Sequence, residues 1–227
     1  MGKDKLKRFA EMEDFSNVLQ PEMEDIKGGH EWKGKWSQEF FGNDKPIILE
    51  LGCGKGEYTV GLARRYKDYN FIGVDIKGAR IWRGAKTCLE EGIDNAGFIR
   101  TKVDFIDQYF GENEVAEIWL TFSDPQPKRP RKRLTSPLFM ARYKQFLRPD
   151  GVINVKTDSD LLFEYTLEQI EEHNYKNHMH SWDVYGELLP QTPEEDEIHY
   201  KMGIRTFYES KWLAQDIKTK YVRFSID

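Results

Sequence analysis

The sequence predicts an α/β fold in which a doubly wound, mostly parallel sheet is closed by an antiparallel C-terminal strand. Three observations carry this prediction. Short apolar runs alternate with helix-spaced segments from Ile47 to Glu172, the order produced by repeated strand–helix units. The first run, Ile47-Ile-Leu-Glu-Leu, opens directly into three alternating glycines, Gly52, Gly54 and Gly56. The final run, Lys220 to Ile226, alternates as a half-buried strand does and follows a separate helix signal.

Around the glycines the chain reads strand, tight loop, helix, with the helix from Glu57 to Tyr66. A backbone turning in this way against a ligand has no room for Cβ atoms. Asn70 to Asp75 is a second buried strand ending in a carboxylate, placed to accept ribose hydroxyls at the carboxyl edge of a parallel sheet. The glycine spacing is G-x-G-x-G, and Glu50 stands two residues before it. A dinucleotide site favours G-x-G-x-x-G and brings a pyrophosphate to the helix N-terminus. An acid beside the loop repels that group but suits the ammonium and sulfonium of S-adenosylmethionine. A class I methyltransferase site is therefore favoured over a nicotinamide dehydrogenase. An inert strand-to-helix turn would leave two strand-end acids unexplained.

At 227 residues the chain is long enough for one α/β domain, and 39% hydrophobic residues suffice for a core. No run approaches the ~20 apolar residues of a membrane helix. The start, Met-Gly-Lys-Asp-Lys, lacks a signal peptide's apolar region, so a cytoplasmic protein is expected. Cys53 and Cys88 are too few for a disulfide framework and lack companions for zinc. No metal is expected. A net charge of −5 confines any nucleic-acid contact to a local basic patch.

Residues 1–35 mix Lys3, Lys5, Lys7 and Arg8 with Glu11, Glu13 and Asp14 without a steady period, and read as a partly ordered arm. Trp32, Trp36, Phe40 and Phe41 recur at helical spacing and predict a short helix packed on the domain. Lys77 to Glu91 is the second helix, stopped by Gly92. Phe98 to Val103 is a third strand leading to Asp104, an acid that either meets the adenine amino group or caps the next turn.

Glu117 to Asp124 is the fourth strand, followed by Asp124-Pro-Gln-Pro-Lys128-Arg-Pro-Arg-Lys-Arg133. The prolines stiffen this loop, and five of the six residues from Lys128 to Arg133 are cationic. At the reaction edge such a loop binds a polyanion, while Asp124 handles the group being methylated. Thr135 to Leu147 reads as a helix and Val152 to Asp158 as strand five. Asp158 is again a strand-end acid, with the alternative of capping the helix from Ser159 to Glu172. Met179 to Tyr185 reads as a strand and Gln191 to Glu197 as an acidic, mobile loop. Thr206 and Glu209 have the spacing of a capping box at the start of the last helix.

Together, Glu50-Leu-Gly-Cys-Gly-Lys-Gly, the Asp124–Arg133 loop, Lys156-Thr-Asp158 and Thr206-Phe-Tyr-Glu209 resemble the bacterial tRNA (guanine-N7-)-methyltransferases, over about residues 45–226. The resemblance implies one Rossmann-like class I methyltransferase domain, here residues 36–227. It implies that Glu50, Asp75, Asp104 and Asp124 line the S-adenosylmethionine site, to which the loop spacing adds Gly52, Gly54 and Gly56; Asp124, a carboxylate beside a base that becomes cationic, is the expected catalytic group. It further implies that Lys128, Asp158, Thr206, Phe207, Tyr208 and Glu209 meet a guanosine at position 46 in the variable loop of tRNA. The tRNA itself is expected on Lys128, Arg129, Arg131, Lys132 and Arg133. One departure stands out: the family usually carries Trp between the two prolines, and this chain has Gln126.

Overall fold

A computed structural model of the chain describes residues 2–226. Helix α1 (Gly2–Glu13) and strand β1 (Val18–Leu19) precede a short α2 (Trp36–Glu39). The alternating units follow: β2 (Ile47–Leu51), α3 (Glu57–Arg65), β3 (Asn70–Asp75), α4 (Gly78–Glu91), β4 (Ala96–Arg100), β5 (Val115–Thr121), α5 (Pro137–Tyr143), β6 (Leu147–Thr157) and α6 (Asp160–Glu172). The chain ends with β7 (Lys176–Ser181), the short turns α7 (Leu189–Gln191) and α8 (Glu197–Gly203), α9 (Phe207–Leu213) and β8 (Lys220–Ser225).

The eight strands form one sheet in the order β1-β4-β3-β2-β5-β6-β8-β7. All pairings from β1 to β6 are parallel, while β8 runs antiparallel to both β6 and β7. The order reverses between β2 and β5, which opens a crevice at the carboxyl ends of the strands. Alternation along the strands feeds two cores. Ile47, Leu49 and Leu51 join Phe139, Tyr143 and Phe163 from α5 and α6, and Ile48 and Trp119 join Tyr58, Leu62, Ile81 and Ala85 from α3 and α4. The sheet is thus covered on both faces, as the sequence predicted.

The segment before residue 36 is built into the domain rather than standing off it as an arm. Val18 and Leu19 pair with Phe98 and Ile99 at the edge of the sheet. Met12 is buried on the α4 side, and Glu11 accepts a hydrogen bond from Trp82 Nε1 at 2.8 Å. The side chains of Lys3 and Lys5 lie outside the described residues. Trp36 is fully buried against Trp32, Phe40 and Phe110, and its indole donates to the Tyr109 carbonyl at 2.6 Å. This is the packing that its helical spacing predicted.

Several boundaries moved. The third strand ends at Arg100, and Asp104 lies in a 3₁₀ turn from Val103 to Gln108. β5 stops at Thr121, because Phe122 takes a left-handed φ of 51° that no ladder accommodates. The penultimate strand is Lys176–Ser181, earlier than expected. The acidic stretch between α7 and α8 is a loop, as expected, and Asp196 at its end caps α8 by accepting from the Ile198 N–H at 2.8 Å.

Candidate active site

A cleft of about 870 Å³ lies at the carboxyl ends of the parallel strands. Gly52 lines it after β2, Asp75 ends β3, Asp104 follows β4, Asp124 follows β5 and Asp158 follows β6. One crevice therefore gathers a carboxylate from each of four strand ends. Arg80 of α4, Tyr208 and Trp212 of α9, and Arg129 and Lys132 of the basic loop form the rest of its walls. A second groove, about 630 Å³ between α3, α4 and α8, contains none of these acids.

The glycine loop is held from below by Asp75, whose Oδ2 accepts the Gly54 N–H at 3.0 Å and Oδ1 the Lys77 N–H at 2.8 Å. These bonds orient the carboxylate and leave lone pairs for the vicinal hydroxyls of a ribose. Gly52 has φ +80° and nothing within 4 Å of where a Cβ would stand, so the loop backbone is bare toward the cleft. Gly56 serves a different purpose. A Cβ there would stand 2.6 Å from the Phe98 ring, so this glycine lets α3 and the sheet close together, outside the cleft lining. Gly54 is likewise absent from the lining.

Glu50 does not reach the cleft. It projects between the sheet and α3, where Oε2 accepts from Thr59 N at 2.9 Å and Thr59 Oγ1 at 2.6 Å, and Oε1 accepts from Thr121 Oγ1 at 2.7 Å. Burial pushes its carboxyl up to about 7, against the opposing pull of these hydrogen bonds. Glu50, expected as an open acid beside a sulfonium, is buried in this structure and braces β2, α3 and β5 from behind the loop.

Asp124 stands in the loop after β5, and its Oδ1 accepts the Gln126 N–H at 2.9 Å. This short turn holds Gln126 at a left-handed φ of 44° and sets Gln126 on the cleft wall. Asp104 does not cap its turn; it pairs with Lys132 Nζ at 2.5 Å across the mouth of the cleft. Asp158 is not a cap either, since Ser159 Oγ accepts the Leu162 N–H at 3.2 Å and frees the Asp158 carboxylate for the cleft.

The basic loop divides. Lys128, Arg129, Arg131 and Lys132 are exposed, with Arg129 and Lys132 facing the cleft and Lys128 outside its lining. Arg133 turns inward and is 5% exposed, so it is not available to RNA as the sequence suggested. The C-terminal motif divides too. Tyr208 lines the cleft, Phe207 is exposed under the Lys55 ammonium at 3.9 Å from its ring centre, and Thr206 caps α9. Glu209 is fully buried and salt-bridged to Lys156 at 2.7 Å, which removes it from any direct substrate contact in this structure. Sequence reasoning assigned no role to Arg80, Ser123, Trp212 or Lys156. Only Lys156 carried a signal, a cation inside the apolar run Val152-Ile-Asn-Val-Lys.

A family model described as "Putative methyltransferase" matches residues 44–221. The chain belongs to this methyltransferase family. It is 48% identical over its whole length, and over 87% of the relative, to a protein named tRNA (guanine-N(7)-)-methyltransferase from Bacteroides thetaiotaomicron. A protein of the same name from Christiangramia forsetii is 50% identical, with 99% of each chain covered. Among solved structures, the 16S rRNA methyltransferase KamB superposes with a TM-score of 0.61 at 12% identity, over 86% of this chain and 94% of that one. A geranyl diphosphate methyltransferase in complex with GPP and sinefungin gives 0.53 at 18% identity, over 81% and 72%. These likenesses show the class I methyltransferase fold. The cleft fits the family's methyl donor, S-adenosylmethionine: the bare Gly52 backbone, the Asp75 carboxylate and the Asp104 carboxylate after the neighbouring strand converge there.

Proposed function

We propose that this protein transfers a methyl group from S-adenosylmethionine to N7 of guanosine in tRNA. The observation that carries the reading is the convergence of Asp75, Asp104, Asp124 and Asp158 on one cleft rimmed by Arg129 and Lys132, in a chain matched end to end by relatives of that name. In this reading Asp75 and the Gly52 loop hold the donor's ribose and methionine ends, and Asp104 faces its adenine. The donor supplies a methyl carbon on a sulfonium centre.

Guanine N7 carries a lone pair and no proton at neutral pH, so the chain need not provide a general base. What it must provide is alignment and charge. The ring becomes cationic as it is methylated, and the Asp124 carboxylate, on a loop stiffened by Pro125 and Pro127, stabilises that charge and holds the base's amino edge. Tyr208 and Asp158 line the same cleft, and Gln126 meets the base with an amide. The exposed cations Lys128, Arg129, Arg131 and Lys132 hold RNA phosphates. A-form duplex hides the N7 edge in a deep groove, so the target base must be accessible in a loop. The expected target is guanosine 46 of the variable loop, and the expected compartment is the cytoplasm.

The test is incubation with unmodified tRNA and a methyl-labelled donor, followed by digestion to nucleosides. Label in 7-methylguanosine is the expected result. Label in another nucleoside, or none, would overturn the reading.

A further inference from the structure

Lys156 is completely buried, yet its ammonium has a partner for every proton. Alternation along β6 sends Ile153 and Val155 into one core, and so sends Asn154 and Lys156 to the opposite face, beneath α8 and α9. There Nζ donates to the Met202 carbonyl at 2.9 Å, to the Ile204 carbonyl at 3.3 Å and to Glu209 Oε1 at 2.7 Å. The rings of Tyr58, Tyr185 and Phe122 surround it at 5.2, 5.6 and 6.0 Å. Glu209 is equally satisfied: Tyr185 OH donates to Oε1 at 2.8 Å and the Thr206 N–H to Oε2 at 3.2 Å.

A buried ion pair is an expensive way to gain stability, because desolvation of both charges offsets most of their attraction. What this pair gains is definition of geometry. It anchors the carbonyls at the end of α8 and the first turn of α9, from which Tyr208 reaches the cleft. The main chain of the same lysine anchors the facing wall. Its carbonyl accepts the Phe122 N–H at 2.8 Å, which stabilises the left-handed Phe122 immediately before Ser123 and Asp124. Asp158 follows two residues later on the same strand end. The Asp124 loop, Asp158 and the Tyr208 wall therefore all take their positions from one residue.

We propose that Lys156, with Glu209 as its counter-ion, is a positioning residue for methyl transfer: it sets the separation between the Asp124 loop and the Tyr208 wall, and thereby the alignment of the target base with the donor. The proposal rests on the reading of the cleft given above. It assigns Glu209 an indirect role in place of base contact.

The experiment compares wild type with Lys156→Met/Glu209→Gln. Lys156→Met alone strands a buried carboxylate and threatens folding, whereas the double variant removes both charges and retains an acceptor for the Thr206 N–H. The expected double variant melts cooperatively and binds S-adenosylhomocysteine and tRNA within about threefold of wild type. Its kcat at saturating substrates falls on the order of 100-fold, the effect of a misplacement of about 1 Å between reacting groups. A folded double variant with wild-type kcat would overturn the proposal, as would a loss of activity that only tracks the folded fraction. If wild type itself forms no 7-methylguanosine, it is the underlying functional reading that fails.

Discussion

Arg133 Nε donates to the carbonyl of Pro125 at 2.9 Å, tying the end of the basic loop back to the residue beside Asp124. Its guanidinium also lies 4.3 Å from the centre of the Tyr165 ring. The last cation of the run is thus a brace for the loop, and Arg133→Ala is expected to lower unfolding free energy by about 1–3 kcal/mol as the hydrogen bond and the ring stacking disappear. Denaturant melts measure this, and tRNA titrations of the folded variant should keep the wild-type salt slope. A reduced slope would return Arg133 to the RNA surface.

Neutralising Lys128, Arg129 and Arg131 together should act in the opposite way. Stability should hold within about 0.5 kcal/mol, as for surface substitutions generally. The slope of log affinity against log salt should fall by about 0.7–0.9 for each phosphate that is no longer neutralised. Filter binding across a salt series checks this, and an unchanged slope would make the loop an ordinary solvated surface.

Asp124→Ala removes a carboxylate that the fold does not need, since the side chain makes one hydrogen bond, to the Gln126 N–H, in a loop at the surface. Methyl transfer should drop by about 100- to 1000-fold, the scale on which a group stabilising transition-state charge acts. tRNA affinity should change by less than about threefold, because phosphate contacts dominate it. Equal losses in turnover and binding would mean that Asp124 only holds RNA.

Glu50 gives a pH signature. Its carboxyl is raised by burial from 4.5 to about 7, so between these values the folded state holds a proton that the unfolded chain has released. The stabilisation is complete below the unfolded value and is lost as pH rises through about 7. Across that window wild type should lose up to about 3 kcal/mol relative to Glu50→Gln, which keeps an acceptor and cannot ionise. Chemical denaturation at pH values below, within and above this window tests the assignment. Parallel curves for the two proteins would show that Glu50 is charged throughout.

The parallel strands β2 to β6 were legible because each holds an apolar run bounded by turn residues, and the cleft acids because each lies at or shortly after the end of such a run. What escaped the sequence depends on contacts between distant segments. The capping box of Thr206 and Glu209 is a local pattern and formed as read. The burial of Glu209 against Lys156 joins separate strands and helices, and spacing carries no trace of it. Glu50 and Arg133 look alike in sequence whether they face a ligand or brace a loop; packing by Thr59, Thr121 and Tyr165 decides. The N-terminal segment hid its apolar anchor at Met12 among charges, and two residues of β1 are too few to show a period.

The central claim is the identity of the atom that accepts the methyl group. Two tRNA transcripts test it most directly, one ordinary and one made with 7-deazaguanosine, in which a C–H replaces N7. The account predicts labelled methyl in the ordinary transcript, none in the deaza transcript, and similar affinity for both. Equal labelling of the two would contradict it.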